Sequence, residues 1–513
     1  MRKLNIGVID VVANRPNKSY YAKFMRANLA GIMAQVVAVW CQEEGHKVHL
    51  AYYAGSQNMV EELPDKLDVV FIGAFTTSAH IAYALSNQFR SNGAVTVLGG
   101  PHARAYPTDA QNYFDYVVGF TDKEIIKDIL ADRSPYRPQG IYLTADKQPE
   151  SLPNVRQRWP YIERLLREAP TVKIVSMIAS RGCPYNCSFC VDSVVTYQPL
   201  DQDTLKEDLR FLLTKFKRPR VGWHDPNFGI RFNEVMTAIE EAVPPDSIDF
   251  IAESSLSLLS ETNVKRLKKN GFKAFLPGIE SWFDLGHKSK TGKKSGLEKV
   301  QMVSEQVNMI QRHLPYLQAN FILGLDTDTG DLPFELTKEF IDRSPGAFPA
   351  YSMLTAFGRS APLNLEYQKE DRILPFPFLF LNNTGAMNVR PKHYTWPEFY
   401  DKMIDLHKYS FSSRAIYRRY KANRGRIPKW MNVLRAISSE GWGKIRYFKK
   451  IRRKLDEDSA FRAFFKQESH RLPSYFEDQI KESMGPLWHW LPEGGLYHNP
   501  HLYLKSERKG ITA

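Results

Sequence analysis

The sequence predicts an α/β chain in three parts: a doubly wound parallel sheet at the N-terminus, an open partial barrel of six β/α units, and a helical C-terminal region. Three observations carry this. Short β-rich runs alternate with helical patterns in two series, one before residue 130 and one between 172 and 390. A proline-rich stretch separates the two series, and after Pro391 the strand signal disappears. A chain of 513 residues, 43% hydrophobic and 25% charged, has room for two or three cores and excludes disordered, collagen-like and disulfide-scaffold chains.

In the first series Leu4 to Ile9, Val48 to Tyr53, Val69 to Gly73, Val95 to Leu98 and Tyr116 to Val118 read as strands, with Ala27 to Glu44 as an amphipathic helix. Strands alternating with helices imply parallel neighbours, whose ligands sit at the carboxyl ends of the strands. Residues 1–130 form this domain. Pro135, Pro138, Pro149, Pro153, Pro160 and Pro170 then disfavour regular structure and mark residues 131–171 as a linker.

The second series runs through Lys173 to Ser180, Val221 to His224, Ile248 to Glu253, Ala274 to Glu280, Leu317 to Leu325 and Ala350 to Phe357. Six units are short of the eight in a closed barrel, so residues 172–390 are expected to form an open one with active residues on its βα loops. Residues 391–513 complete the chain as helices and loops.

The four cysteines are Cys41, Cys183, Cys187 and Cys190. They are too few for an oxidised secreted framework, and a reducing cytoplasm is expected. Met1-Arg2-Lys3 leads into a short strand, and the longest apolar stretch, Gly31 to Cys41, is well under the roughly 20 residues of a spanning helix. Neither a signal peptide nor a transmembrane segment is expected.

Directly after a barrel-type strand comes Ser180-Arg181-Gly182-Cys183-Pro184-Tyr185-Asn186-Cys187-Ser188-Phe189-Cys190, with CxxxCxxC spacing. Three thiolates on one tight loop can hold three irons of a cubane cluster and leave the fourth open for a substrate or cosubstrate. Zinc is the alternative. It requires a fourth ligand, for which His224 and Cys41 are the candidates, and the gaps differ from zinc-finger spacing.

On these residues the chain resembles the radical S-adenosylmethionine superfamily, in particular its members with a cobalamin-binding domain. The resemblance implies a [4Fe-4S] cluster on Cys183, Cys187 and Cys190. Its open iron would bind the amino and carboxylate groups of S-adenosylmethionine, which one electron cleaves to methionine and a 5'-deoxyadenosyl radical. Phe189 would offer a ring edge to the adenine, with ordinary core packing as the other reading. In Gly222-Trp223-His224-Asp225-Pro226-Asn227-Phe228, Asp225 would accept from the cofactor's amine, with an Asp-Pro turn or helix cap as the other reading. Gly278-Ile279-Glu280-Ser281 resembles the fourth-strand motif, with Gly278 beside the cofactor and Glu280 toward the ribose hydroxyls or the amine. Glu253 holds a comparable place on the third strand, although many relatives carry an arginine where this chain has Ser254 and Ser255. Ile322 and Gly324, in Asn320-Phe321-Ile322-Leu323-Gly324-Leu325, would lie against adenine. Thr355-Ala356-Phe357-Gly358-Arg359-Ser360-Ala361-Pro362-Leu363 resembles the sixth-strand segment.

In the first domain, Leu98-Gly99-Gly100-Pro101-His102-Ala103 resembles the turn by which such domains approach cobalamin, and Thr76 ends a matching strand. Gly99, Gly100 and Thr76 are thus the implied cobalamin contacts. The chain has no D-x-H-x-x-G motif. The resemblance spans residues 1 to 390 and implies a Rossmann-like domain followed by a (β/α)6 barrel. The implied chemistry is methylation of an unactivated carbon or phosphorus centre, fed by an external one-electron reductant of the flavodoxin or ferredoxin type. Without cobalamin the same radical would drive cyclisation, oxidation or rearrangement. No catalytic acid or base is singled out.

The net charge of +14 has one source. Residues 414–455 carry fifteen Lys or Arg against a single acid, Glu440, and the rest of the chain is formally neutral. Tyr417, Tyr420, Trp430, Trp442, Tyr447 and Phe448 interleave with the cations. This composition suits the anionic inner face of a membrane, a reading that fits a lipid-like substrate, with a small molecule as the other substrate class. RNA ranks lower, and a solvated helical face is the plain alternative. A metal-stabilised nucleic-acid-binding module would explain the tail and the cysteines but not the barrel series.

Overall fold

The computed structural model describes residues 2–13, 31–55, 57–168 and 173–500. The first sheet holds β1 (Asn5–Val11), β2 (Lys47–Tyr53), β3 (Val69–Gly73), β4 (Val95–Gly99), β5 (Tyr116–Val118) and β6 (Ile141–Leu143). All are parallel, in the order β2-β1-β3-β4-β5-β6. The order reverses at β1 and β3, so the connections leaving their carboxyl ends diverge and open a crevice there. Period-2 alternation buries both faces: Ile6 and Val8 pack with Val36 and Val39 of the helix Ile32–Glu43, while Ile9 and Ile72 join Ile81 and Leu85 on the other side. Residues 27–30 of the expected first helix lie outside the described residues.

The linker expected over 131–171 contains two regular elements. One is β6, an edge strand of three half-buried residues, too short to leave a period-2 signal. The other is the helix Val155–Glu168, which holds Pro160 in its interior. Proline removes one backbone bond and strains the turn before it. Here packing compensates: Arg158 donates to Gln35 Oε1 at 3.0 Å and Tyr161 to Gln42 Oε1 at 3.1 Å, tying this helix to Ile32–Glu43. Residues 169–172 lie outside the described residues.

The barrel comprises β7 (Val175–Met177), then β8 (Ser180–Arg181) and β9 (Gln198–Pro199) as a small antiparallel pair, then β10 (Arg220–Trp223), β11 (Asp249–Ser255), β12 (Phe272–Glu280), β13 (Tyr316–Leu323) and β14 (Phe348–Met353). The six parallel strands follow chain order from β7 at one edge to β14 at the other, the expected open barrel. The register between β12 and β13 shifts at Gly278/Glu280, where Glu280 adopts φ +66°.

C-terminal helices wrap this barrel. Phe461, Phe464 and Phe476 pack edge-on and face-on around Phe376 and Phe380, and Trp396 Nε1 donates to Phe465 O at 2.7 Å. The chain then returns to the first domain, where Asn87 Nδ2 donates to Trp490 O at 3.0 Å. Among the described residues no helix is long and apolar enough to cross a membrane. Residues 501–513 of the C-terminal region lie outside the described residues.

Candidate functional site

The cysteine loop, residues 182–197, is closed at its base by β8 and β9, with Ser180 paired to Pro199 and Arg181 to Gln198. Gly182 makes that closure possible. Its φ is +65°, and a Cβ there would lie 2.4 Å from the carbonyl oxygens of Val195 and Thr196. Within the loop, Cys190 N donates to Cys187 O at 2.9 Å, and the N–H of Asp192 points at Cys190 Sγ from 3.4 Å. Burial pushes the free Cys190 thiol up to about 11, against the pull of that N–H, and raises Cys187 against the charge of Lys288. These thiols become ligands only when a metal draws off the protons.

Asp225 anchors this loop. It is buried, accepts from Ala179 N at 3.0 Å and receives the Ser180 hydroxyl at 2.6 Å. Desolvation raises its carboxyl to about 6, opposed by these hydrogen bonds. Both oxygens therefore fix the strand end that feeds the cysteines.

Beside the loop, Lys288 Nζ lies 2.6 Å from Glu280 Oε1 and 5.6 Å over the ring of half-buried Phe189. Burial works against the ammonium, but the Glu280 carboxylate holds the Lys288 pKa above its ordinary value. The side chain of Glu280 fills the space over Gly278, where a Cβ would meet its Oε1 at 2.1 Å. Glu253 opens into the same recess. Lost hydration, then the Glu280 and Asp192 carboxylates, raise its pKa, with Lys288 opposing. Cation, carboxylates, aromatic ring and cysteines thus share one recess. Ile322 is half-buried on β13. At Gly324 the N–H is taken by Asp328 at 2.9 Å, and an added Cβ would meet Met387 and Phe399.

A cavity of about 360 Å³ joins the two domains. One wall holds Asp10, Gly99 and Gly100 at the carboxyl ends of β1 and β4; the other holds Arg181, Gly182 and Asp192. Gly100 is a glycine for the protein's own reasons, because φ is +93° and a Cβ would lie 2.9 Å from Ala74 O. Gly99 is different: a Cβ there would meet nothing within 4 Å. Thr76 is buried outside this lining, and Phe75 stands at the wall. The turn after β3 buries Thr76 and leaves Phe75 exposed. Arg181 presents Nε and Nη2 buried with no acceptor among the described residues, and burial lowers its pKa to about 10. His224 opens into this cavity and Cys41 is buried in the first domain, whereas the imidazole nearest a loop sulfur is His287, 3.8 Å from Cys187 Sγ.

Comparison with known proteins gives relatives by sequence and by structure. The chain is 22% identical over 362 residues to bacteriochlorophyllide d C-12(1)-methyltransferase of Chlorobaculum tepidum, covering 69% of this chain and 76% of that protein. It is 25% identical over 308 residues to bacteriochlorophyllide d C-8(2)-methyltransferase of the same organism, covering 56% and 66%. By structure it is similar to the cobalamin-dependent S-adenosylmethionine radical enzyme OxsB, with TM-score 0.56 and 12% identity over 95% of this chain and 80% of that one. It is also similar to the radical S-adenosylmethionine methyltransferase TsrM of Kitasatospora setae, with TM-score 0.54 and 12% identity over 89% and 99%. By sequence the chain is thus similar to methyltransferases, and in fold it is similar to cobalamin-dependent radical S-adenosylmethionine enzymes. No family model matches it.

Within this site, the sequence pattern points to the cysteines and the glycine turn but passes over Lys288 and Arg104. Lys288 stands in a run, Lys288 to Lys294, whose lysines read as solvated. Arg104, half-buried near Asp192, lies with its guanidinium 5.3 Å over Phe120; its only signal is its place just after the glycine turn.

Proposed function

We propose that the chain is a radical S-adenosylmethionine enzyme that methylates an unactivated carbon with the help of cobalamin. The observation that carries this reading is the single cavity shared by the glycine turn of the first sheet and the base of the cysteine loop. Two relatives are named as methyltransferases acting at carbon positions of a bacteriochlorophyllide, which favours carbon over phosphorus.

The residues fit the three groups this requires. Cys183, Cys187 and Cys190 supply three thiolates from one loop, the ligand set of a cubane with one open iron. Glu253, Glu280 and Lys288 offer acceptors and a donor in one recess, complementary to an ammonium and a carboxylate on one molecule. Gly99 leaves a cradle that a side chain would fill, and Arg181 holds donors lacking an acceptor, which suits a bulky ligand with peripheral amides. When bound, the cluster supplies the electron that cleaves S-adenosylmethionine, and cobalamin supplies the methyl group. The protein's share is positional. Asp225 fixes the start of the cysteine loop, Lys288 pairs with Glu280 beside it, and Phe189 walls the recess. A small-molecule substrate and an external one-electron donor of the flavodoxin or ferredoxin type complete the reading.

Anaerobic protein reconstituted with iron and sulfide is titrated with hydroxocobalamin, then given reductant and methyl-labelled S-adenosylmethionine. Stoichiometric cobalamin uptake and label on the bound cobalamin are expected. Radical cleavage without cobalamin uptake would leave a cobalamin-independent radical reaction in place of methylation.

A further inference from the structure

The basic segment folds into a helical hairpin, Ser413–Ala422 and Arg426–Ile437, joined through Gly425. Its buried face is fastened beneath the barrel. Arg419 donates to Ala347 O at 3.0 Å and to Ser410 O at 3.1 Å, and Asn423 Nδ2 to Gly346 O at 2.8 Å. Residues 346 and 347 lead into the amino end of β14, so the hairpin covers the end of the barrel opposite the cysteine loop.

The outward face is apolar. Ile427, Trp430, Leu434 and Ile437 fall at i, i+3, i+7 and i+10, one stripe about 80° wide at 100° per residue. With Tyr417 and Trp442 they are 41 to 74% exposed, while Asn432, Arg435 and Ala436 bury the opposite side. No acid occurs between Arg414 and Ile437. Arg418 and Arg435 are tied to Asp342 and Glu440, but Lys421, Arg424 and Arg426 have no acidic partner among the described residues.

We propose that this hairpin docks on an anionic lipid bilayer, with the Ile427–Ile437 stripe in the interfacial layer and Lys421, Arg424 and Arg426 on lipid phosphates. Exposed tryptophans on an aliphatic stripe flanked by unpaired cations match that interface in both polarity and charge. Ile427, Leu434 and Ile437 set aliphatic groups between the exposed rings, which suits acyl chains better than a run of stacked nucleobases. The docking end of the barrel lies away from its mouth. The bilayer therefore serves as a tether, and the substrate reaches the site from the aqueous side.

Flotation of the full chain with vesicles of equimolar phosphatidylglycerol and phosphatidylcholine tests this, with pure phosphatidylcholine vesicles and high salt as the other arms. Binding is expected to the anionic vesicles only, to weaken with salt, and to fall at least about tenfold in I427S/W430S and in R424E/R426E. Every substitution is at an exposed position, and circular dichroism checks that each variant is folded. Absence of flotation, equal flotation of I427S/W430S, or flotation with neutral vesicles alone would overturn the proposal. So would an RNA complex or a dimer of this chain that these substitutions abolish. The readout needs no turnover, so its failure leaves the enzymatic reading standing.

Discussion

Lys288 and Glu280 form an ion pair of 2.6 Å beside the cysteine loop, with only 16% and 11% of their side chains exposed. Glu280 holds φ +66° at the shifted register of β12, a conformation that a non-glycine residue adopts only when its surroundings impose it. The pair is thus part of how the end of β12 is shaped, as well as the source of charge next to Cys187 and Phe189.

Removing one partner leaves the other charge in a recess. Lys288→Met is expected to cost about 2–3 kcal/mol, less than a fully buried pair because some solvent reaches it. The double variant K288M/E280Q recovers part of that loss. Urea unfolding of the two single variants and the double gives the coupling, and strict additivity would mean that the pair is not coupled.

The two glycines after β4 separate structure from ligand. Gly100→Ala places a Cβ 2.9 Å from Ala74 O at φ +93° and should cost about 1–3 kcal/mol. Gly99→Leu enters open space and should change stability by less than about 1 kcal/mol while weakening hydroxocobalamin uptake at least about tenfold. Thermal melting and spectral titration measure both quantities. Unchanged uptake by Gly99→Leu would remove cobalamin from this cavity.

Gly182→Ala should act on the cluster more than on the fold. The added Cβ collides with the carbonyls of Val195 and Thr196 and must displace the base of the cysteine loop, while the parallel sheet β7-β10-β11 lies outside that contact. Reconstituted iron per chain is expected to fall by more than half, with circular dichroism unchanged.

Asp10 predicts a pH dependence. Burial raises its carboxyl to about 7, partly offset by the Gly31 N–H donating to its Oδ2 at 2.6 Å. A folded-state pKa above the unfolded value of 3.8 means that the folded protein holds more protons in between. Its contribution to stability is therefore full below about 4 and lost as pH rises through about 7. The melting temperature of Asp10→Asn should fall less than that of the parent chain over this window. A parallel fall would assign the slope to Asp109 and Asp328, which burial also raises to about 7.

The parts of the molecule legible in the sequence are those written in local pattern. β3 and β5 carry period-2 or continuous apolar runs, and CxxxCxxC places three cysteines on one loop whatever surrounds it. What was hidden depends on tertiary contact. β6 has three half-buried residues and needs β5 to exist, and the helix around Pro160 is held by Arg158 and Tyr161 against another helix. Asp225 reads as a ligand because it ends a strand beside the motif, while its hydrogen bonds to Ala179 and Ser180 at the neighbouring strand end leave no signal in the sequence. Lys288 looks like any solvated lysine until the bend of β12 brings Glu280 against it.

The most direct measurement is the yield of 5'-deoxyadenosine from S-adenosylmethionine by the anaerobically reconstituted, dithionite-reduced chain, alongside its metal content. About four irons per chain and multiple turnovers of cleavage, both abolished in Cys187→Ala, are predicted. Stoichiometric zinc with no 5'-deoxyadenosine would contradict the account.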